Sequence, residues 1–119
     1  MVPSSHEIVN LLARYRFRYR DEAQLQEAIE RVFLDNHVDF EREVSLTGQE
    51  RIDFMVAGIG IEVKIHQPPS MVLRQLQRYA QCDQVHHLLL VTAVSKHAHL
   101  PRSINYKVLD VVFLGWSFL

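Results

Sequence analysis

One cysteine, Cys82, means that no disulfide can close within this chain. A reducing compartment is the simple expectation. Glycine and proline are sparse, four of each in 119 residues. No linker, repeat or low-complexity tract breaks the chain, so one domain over 1–119 is expected. No apolar run approaches the ~20 residues that a membrane helix needs, so no membrane partner is expected. The start, MVPSSHEIVN, has no basic stretch followed by an apolar run, and no secretory signal is expected. Charge of one sign is also lacking: 13 basic against 14 acidic residues give a formal net charge of −1. A nucleic-acid partner would therefore need a local basic patch rather than a whole-protein field. No Walker loop, dinucleotide fingerprint or Ser-His-Asp arrangement is visible.

What the chain does have is ordinary globular composition, 48% hydrophobic and 23% charged, and clear periodicity. Ser4-Ser5 reads as the cap of a first helix, with Glu7 in its first turn. Asp21 reads as the cap of a second, about 22–36, in which Leu25, Ala28, Ile29, Val32 and Phe33 follow helical spacing. The period then changes to two. Residues 40–46, 51–57 and 58–65 read as strands, with turns at 47–49 and 57–60. Pro68-Pro69-Ser70 breaks the third strand, and Ser70 is expected to cap a helix over 71–83. Residues 87–93 form a continuous apolar strand of the kind buried on both faces. Residues 95–105 read as a loop or short helix, and 107–114 as a last strand. An antiparallel meander followed by a βαβ crossover predicts an α/β fold with a mixed β-sheet flanked by helices.

One hairpin carries an unusual set of charges. Ile61, Val63 and Ile65 share one strand face, and Glu62 and Lys64 share the other. In the preceding strand Ile52, Phe54 and Val56 share a face, opposite Asp53 and Met55. A two-residue turn at Gly58-Ile59 would place Asp53 opposite Lys64 and diagonal to Glu62. A solvated face with a weak ion pair would read the same way. Glu22, however, falls within the apolar arc of the second helix, where a lone charge needs a partner, whereas Glu27 and Glu30 fall outside it. Support of the helix N-terminus is its other reading. Gln75 and Tyr79, one turn apart, can point back to the same region, although Tyr79 as core and Gln75 as surface is the plainer assignment.

The order helix-Glu, Asp53, Glu62-Val63-Lys64, helix-Gln resembles the PD-(D/E)XK nuclease superfamily, over about 22–114. It is similar to that superfamily's small members, the Holliday-junction resolvases and the virus-type replication-repair (VRR) nucleases. Ile52 stands where a proline often precedes the aspartate, and the helix acid is open among Glu22, Glu27 and Glu30. The resemblance implies a restriction-endonuclease-like α-β-β-β-α-β core and a Mg²⁺- or Mn²⁺-dependent deoxyribonuclease acting on DNA, with branched or structured DNA as the expected substrate. It also implies a cytoplasmic setting in a bacterial, archaeal or phage-encoded context. By resemblance Asp53, Glu62 and the Val63 carbonyl hold the metal, and Glu22 holds a metal-bound water or a second ion. Lys64 orients or deprotonates the attacking water, and Gln75 positions a water or phosphate. Such hard cations suit carboxylate oxygens.

In RYRFRYR, an extended chain would set Arg14, Arg16, Arg18 and Arg20 on one side for phosphate contact, with Tyr15, Phe17 and Tyr19 on the other. A helix end with its aromatic rings in the core is the competing reading. Cys82 with His86 and His87 only hints at zinc; solvated or packed histidines are the plainer reading. A homodimer through Phe113, Leu114, Trp116, Phe118 and Leu119 would suit paired cuts. The alternatives are a nuclease directed by a partner in defence or repair, and a non-catalytic binding or assembly module on the same fold.

Overall fold

The computed structural model describes residues 2–115. Helices α1 (Ser5–Ala13) and α2 (Glu22–Asp35) precede strands β1 (Glu41–Ser45), β2 (Arg51–Val56) and β3 (Ile59–Lys64). Helix α3 (Pro69–Ala80) leads to β4 (His87–Thr92). A 3-10 turn (Ser95–His99) and the two-residue strand β5 (Ser103–Ile104) lead to β6 (Lys107–Phe113). The core order α-β-β-β-α-β is thus realised as α2 to β4. The six strands form one mixed sheet in the order β1-β2-β3-β4-β6-β5. β1, β2 and β3 are antiparallel, while β3, β4 and β6 are parallel. Among the described residues, no helix is long and apolar enough to cross a membrane.

The caps explain where the first two helices begin. Ser4 and Glu7 form a reciprocal capping box, which satisfies two otherwise orphaned donors. Asp21 accepts the Gln24 N–H. α3 differs from expectation: its cap is Pro68, no side chain bonds the cap, and Ser70 lies inside the first turn. Pro69 at the first helical position gives up only an N–H that has no intrahelical partner, so the helix starts two residues early.

The sheet divides two cores. Ile8, Leu11, Leu12, Leu25, Ile29, Val32 and Phe33 from α1 and α2 pack on Phe54, Val56, Ile61 and Val63. Each such fully buried side chain contributes about 1.5–3 kcal/mol of transfer free energy. Val72, Leu76 and Tyr79 of α3 pack on the other face, against Ile52, Met55, Leu88 and Leu90.

Two details depart from simple alternation. The β2–β3 turn is Ala57-Gly58, one position earlier than the glycine pattern suggests, and Ala57 adopts φ 54°. The register is Phe54↔Ile61, Met55↔Gly60 and Val56↔Ile59. Extended by one pair, it sets Asp53 opposite Glu62, and not opposite Lys64. Gly60 keeps a packing role: a Cβ there would lie 2.6 Å from Ile52 Cδ1. Ile52 itself faces α3, while Phe54 and Val56 face α1 and α2. The alternation breaks at Asp53, alongside Glu43 on β1, which has φ 49°. That left-handed residue turns the edge strand, so that Arg42 lies over the Phe54 ring and Val44 packs on the α3 side.

Candidate active site

The β2–β3 ladder ends at Phe54↔Ile61, although both strands run on. Beyond that pair β2 stays with β1 and β3 stays with β4. Asp53, Glu62, Val63 and Lys64 surround the place where the two strands part. Asp53 Oδ2 accepts the Val63 N–H at 2.8 Å. A strand residue projects its N–H and C=O to the same edge, so the Val63 carbonyl points into the same gap. Glu62 Oε2 lies 3.0 Å from Lys64 Nζ. Glu62 Oε1 receives the Asp53 N–H in a long contact of 3.4 Å.

Both members of that pair are buried, with side chains 3% and 7% exposed for Glu62 and Lys64. Burial pushes Glu62 up to about 8, and the nearby Asp53 charge adds to this, while Lys64 and Tyr79 oppose it. Burial also raises Asp53, against the Val63 N–H, Lys64 and a hydrogen bond with Glu62. Two carboxylates therefore share one ammonium in a dry setting, and without a further cation one of them tends to keep its proton.

α2 adds Glu22, half-buried at its first turn. Burial raises its carboxyl, Lys64 lowers it, Asp53 raises it and His66 lowers it. Of the other acids on that helix, Glu30 is taken up by Arg42 at 3.1 Å and Glu27 is exposed. Gln75 reaches the carboxylates only through a neighbour: its Nε2 donates to the Tyr79 hydroxyl at 2.8 Å. That hydroxyl lies 2.8 Å from the Arg51 carbonyl and 3.1 Å from Glu62 Oε1. One proton cannot serve both acceptors, so the hydroxyl chooses between them. Tyr79 is fully buried, as the plainer assignment has it, yet it also touches the site. Only its spacing from Gln75 hinted at this.

The residues fit a hard divalent ion. Asp53, Glu62 and the Val63 carbonyl are oxygen donors, and a cation would repay the burial of two like charges. Among the described residues no three His, Cys, Asp or Glu side chains gather round one point. Water and phosphate would have to complete the shell, as Mg²⁺ prefers. Cys82, His86 and His87 do not form a zinc set: Cys82 is buried, and His87 bonds Asp110 at 2.8 Å. The Ser5 hydroxyl also donates to Asp110. The aspartate sits between serine and histidine, so this group fastens α1 to the sheet and activates no nucleophile.

Residues 15–20 run without regular structure into α2, with Arg14, Arg16, Arg18 and Arg20 all exposed. Phe17 and Tyr19 pack on the core. The exposed Tyr15 hydroxyl accepts from Asn36. Arg42 and Arg78 are held by Glu30 and Glu50. Phe113 is 45% exposed, and Leu114 packs on the α1–α2 core. Trp116, Phe118 and Leu119 lie outside the described residues. No protein-family model, curated protein or solved structure matches the chain, so its function has to be read from this geometry.

Proposed function

We propose that the chain is a Mg²⁺- or Mn²⁺-dependent deoxyribonuclease of the PD-(D/E)XK kind, hydrolysing phosphodiester bonds in DNA at the Asp53–Glu62–Lys64 gap. The observation that carries this reading is the burial of two carboxylates around one lysine where two strands separate. A fold does not bury such a set for stability, because desolvation outweighs what one ion pair returns. It suits a site whose missing charge arrives with a ligand.

In this reading Asp53, Glu62 and the Val63 carbonyl hold the ion, with Glu22 on its water shell. When bound, such an ion neutralises phosphate charge and makes water more acidic. Lys64 is held on Glu62, so its ammonium stays at one place, where it orients the attacking water and opposes the charge that builds on the phosphate. The water gives up a proton as its oxygen joins phosphorus, one bridging P–O bond breaks, and the leaving oxygen takes a proton from solvent. Gln75 acts through Tyr79, by holding the hydroxyl that touches Glu62. The arginines of residues 14–20 supply phosphate contacts just before Glu22, a local positive strip on a chain of net charge −1. Branched DNA as substrate, a homodimer that cuts paired strands, and a cytoplasmic setting belong to the same reading. The lone buried thiol of Cys82 agrees with the last.

The test is cleavage of a labelled four-way junction and its matched linear duplex with Mg²⁺, Mn²⁺ or EDTA, beside Lys64→Ala. Metal-dependent symmetric cuts on the junction alone identify a resolvase. Cutting of both substrates identifies a general nuclease. Absence of cutting by folded wild type overturns the catalytic reading in favour of a binding module or a partner-directed enzyme.

A further inference from the structure

His97 is wholly buried, although the four other residues of the 3-10 turn, Ser95, Lys96, Ala98 and His99, are exposed. Both of its ring nitrogens are occupied. Nε2 lies 2.7 Å from the Gln67 carbonyl, and Nδ1 lies 2.6 Å from Thr92 Oγ1. A carbonyl can only accept, so Nε2 carries the hydrogen. In the uncharged ring Nδ1 is then bare, and the Thr92 hydroxyl donates to it. The threonine oxygen in turn accepts the Val94 N–H at 3.0 Å. Every donor in this chain has one acceptor, which leaves no polar atom of the ring unpaired.

The two ends of this bridge matter because of what lies between them. Thr92 is the partner of Lys64 in the β3–β4 register. The next residue, Ala93, donates its N–H to the Lys64 carbonyl at 3.0 Å. Gln67 lies three residues beyond Lys64, on the connection to α3. The imidazole therefore closes a ring: Lys64 to Ala93 and Thr92 across the sheet, Thr92 to His97, His97 to Gln67, and back along the chain to Lys64. Without it, the chain that follows Lys64 would be held by the pairing with β4 alone, because the β2–β3 ladder has already stopped and the last tie to β2, from the Asp53 side chain, falls one residue earlier, at Val63.

We propose that His97 is a positioning residue for Lys64. As an uncharged Nε2–H imidazole it ties the chain after Lys64 to the β4 end that pairs with Lys64, and so keeps the ammonium on Glu62. Burial lowers the affinity of His97 for a second proton, the Gln67 carbonyl opposes this, and the Lys64 charge reinforces it. The use of that position rests on the nuclease reading, but the brace itself does not.

The test reads Lys64 directly. Trace acylation with acetic anhydride, followed by peptide mass spectrometry, gives the reactivity of Lys64 relative to Lys107, in EDTA and without DNA. Proteins compared are wild type, Thr92→Val, Thr92→Ser and His97→Phe, each checked by circular dichroism. Lys64 is expected to be protected in wild type and in Thr92→Ser, which keeps the hydroxyl. In folded Thr92→Val and His97→Phe its reactivity rises about tenfold or more, as loss of two buried hydrogen bonds eases local opening. Unchanged Lys64 reactivity in either folded variant overturns the proposal. If neither variant folds, ¹⁵N NMR of wild type decides: an Nε2–H tautomer at neutral pH supports it, and an Nδ1–H or doubly protonated ring overturns it. Where wild type cleaves DNA, Thr92→Val lowers kcat and leaves KM within about twofold, the pattern expected when only transition-state stabilisation is weakened. Altered labelling with no wild-type cleavage would keep the brace and discard the nuclease.

Discussion

Asp53 Oδ2 bonds the Val63 N–H at 2.8 Å, so a β2 side chain ties the two strands together just past the last rung of their ladder. One carboxylate thus has a structural partner and a proposed ligand role at once. The two can be separated by substitution.

Asp53→Asn keeps an oxygen that can accept the Val63 N–H. It is expected to remain within about 1 kcal/mol of wild type, whereas Asp53→Ala leaves that N–H unpaired and costs about 1–3 kcal/mol. Both are expected to lose cleavage. Urea unfolding beside a nuclease assay checks this. Equal stability of the Asn and Ala variants would show that the Asp53–Val63 bond does not hold the strands.

Stability is expected to depend on pH through Glu62. Its folded carboxyl titrates at about 8, against 4.5 ordinarily. Between those values the folded chain keeps a proton that the unfolded chain has lost. The stabilisation is therefore complete below about 4.5 and disappears as pH rises to about 8. Asp53 and Glu22, both raised by burial, act in the same direction. Melting curves in EDTA from pH 5 to 9 should fall, and Glu62→Gln should flatten them. The same slope in wild type and Glu62→Gln would remove Glu62 as the cause.

A protonated Glu62 also makes metal binding release protons, since a ligating carboxylate must be ionised. Mn²⁺ titration calorimetry near pH 6.5 in two buffers of different ionisation enthalpy should show release of about one proton per ion. Release should fade above pH 8. Heats that do not depend on buffer would argue against Glu62 as a ligand.

Arg16→Glu with Arg18→Glu is expected to weaken DNA binding and to lower the slope of log K against log salt by about 2, one for each phosphate left without its arginine. Fluorescence anisotropy at several salt concentrations, with EDTA to prevent cleavage, measures both. An unchanged slope would place the DNA elsewhere.

The layout was legible in the sequence because it rests on local signals. Leu25, Ile29, Val32 and Phe33 announce the buried stripe of α2, and Asp21 announces its start. The hairpin register was not legible. Glycine at 58 and 60 suggested the turn, but Ala57 takes one left-handed position and Gly60 is needed for the approach of Ile52. Glu62 and Lys64 were legible as a pair because strand periodicity sets them on one face, whereas Asp53 was legible as a neighbouring charge but not in its register, since the alternation of β2 breaks there. Tyr79 and His97 acquire their partners from residues 17 and 30 positions away, which no local pattern encodes.

The left-handed Glu43 also bears on how this sheet meets other chains. β1 is an outer strand, and a straight outer strand offers a free row of donors and acceptors to any strand that drifts by. Here the row is only five residues long, bends at its middle and carries Glu41, Arg42 and Glu43 in succession. A visiting strand would lose register at the bend and meet charge at it and in the two residues before it. The same residue that turns Val44 toward the α3 side therefore guards this margin against runaway aggregation.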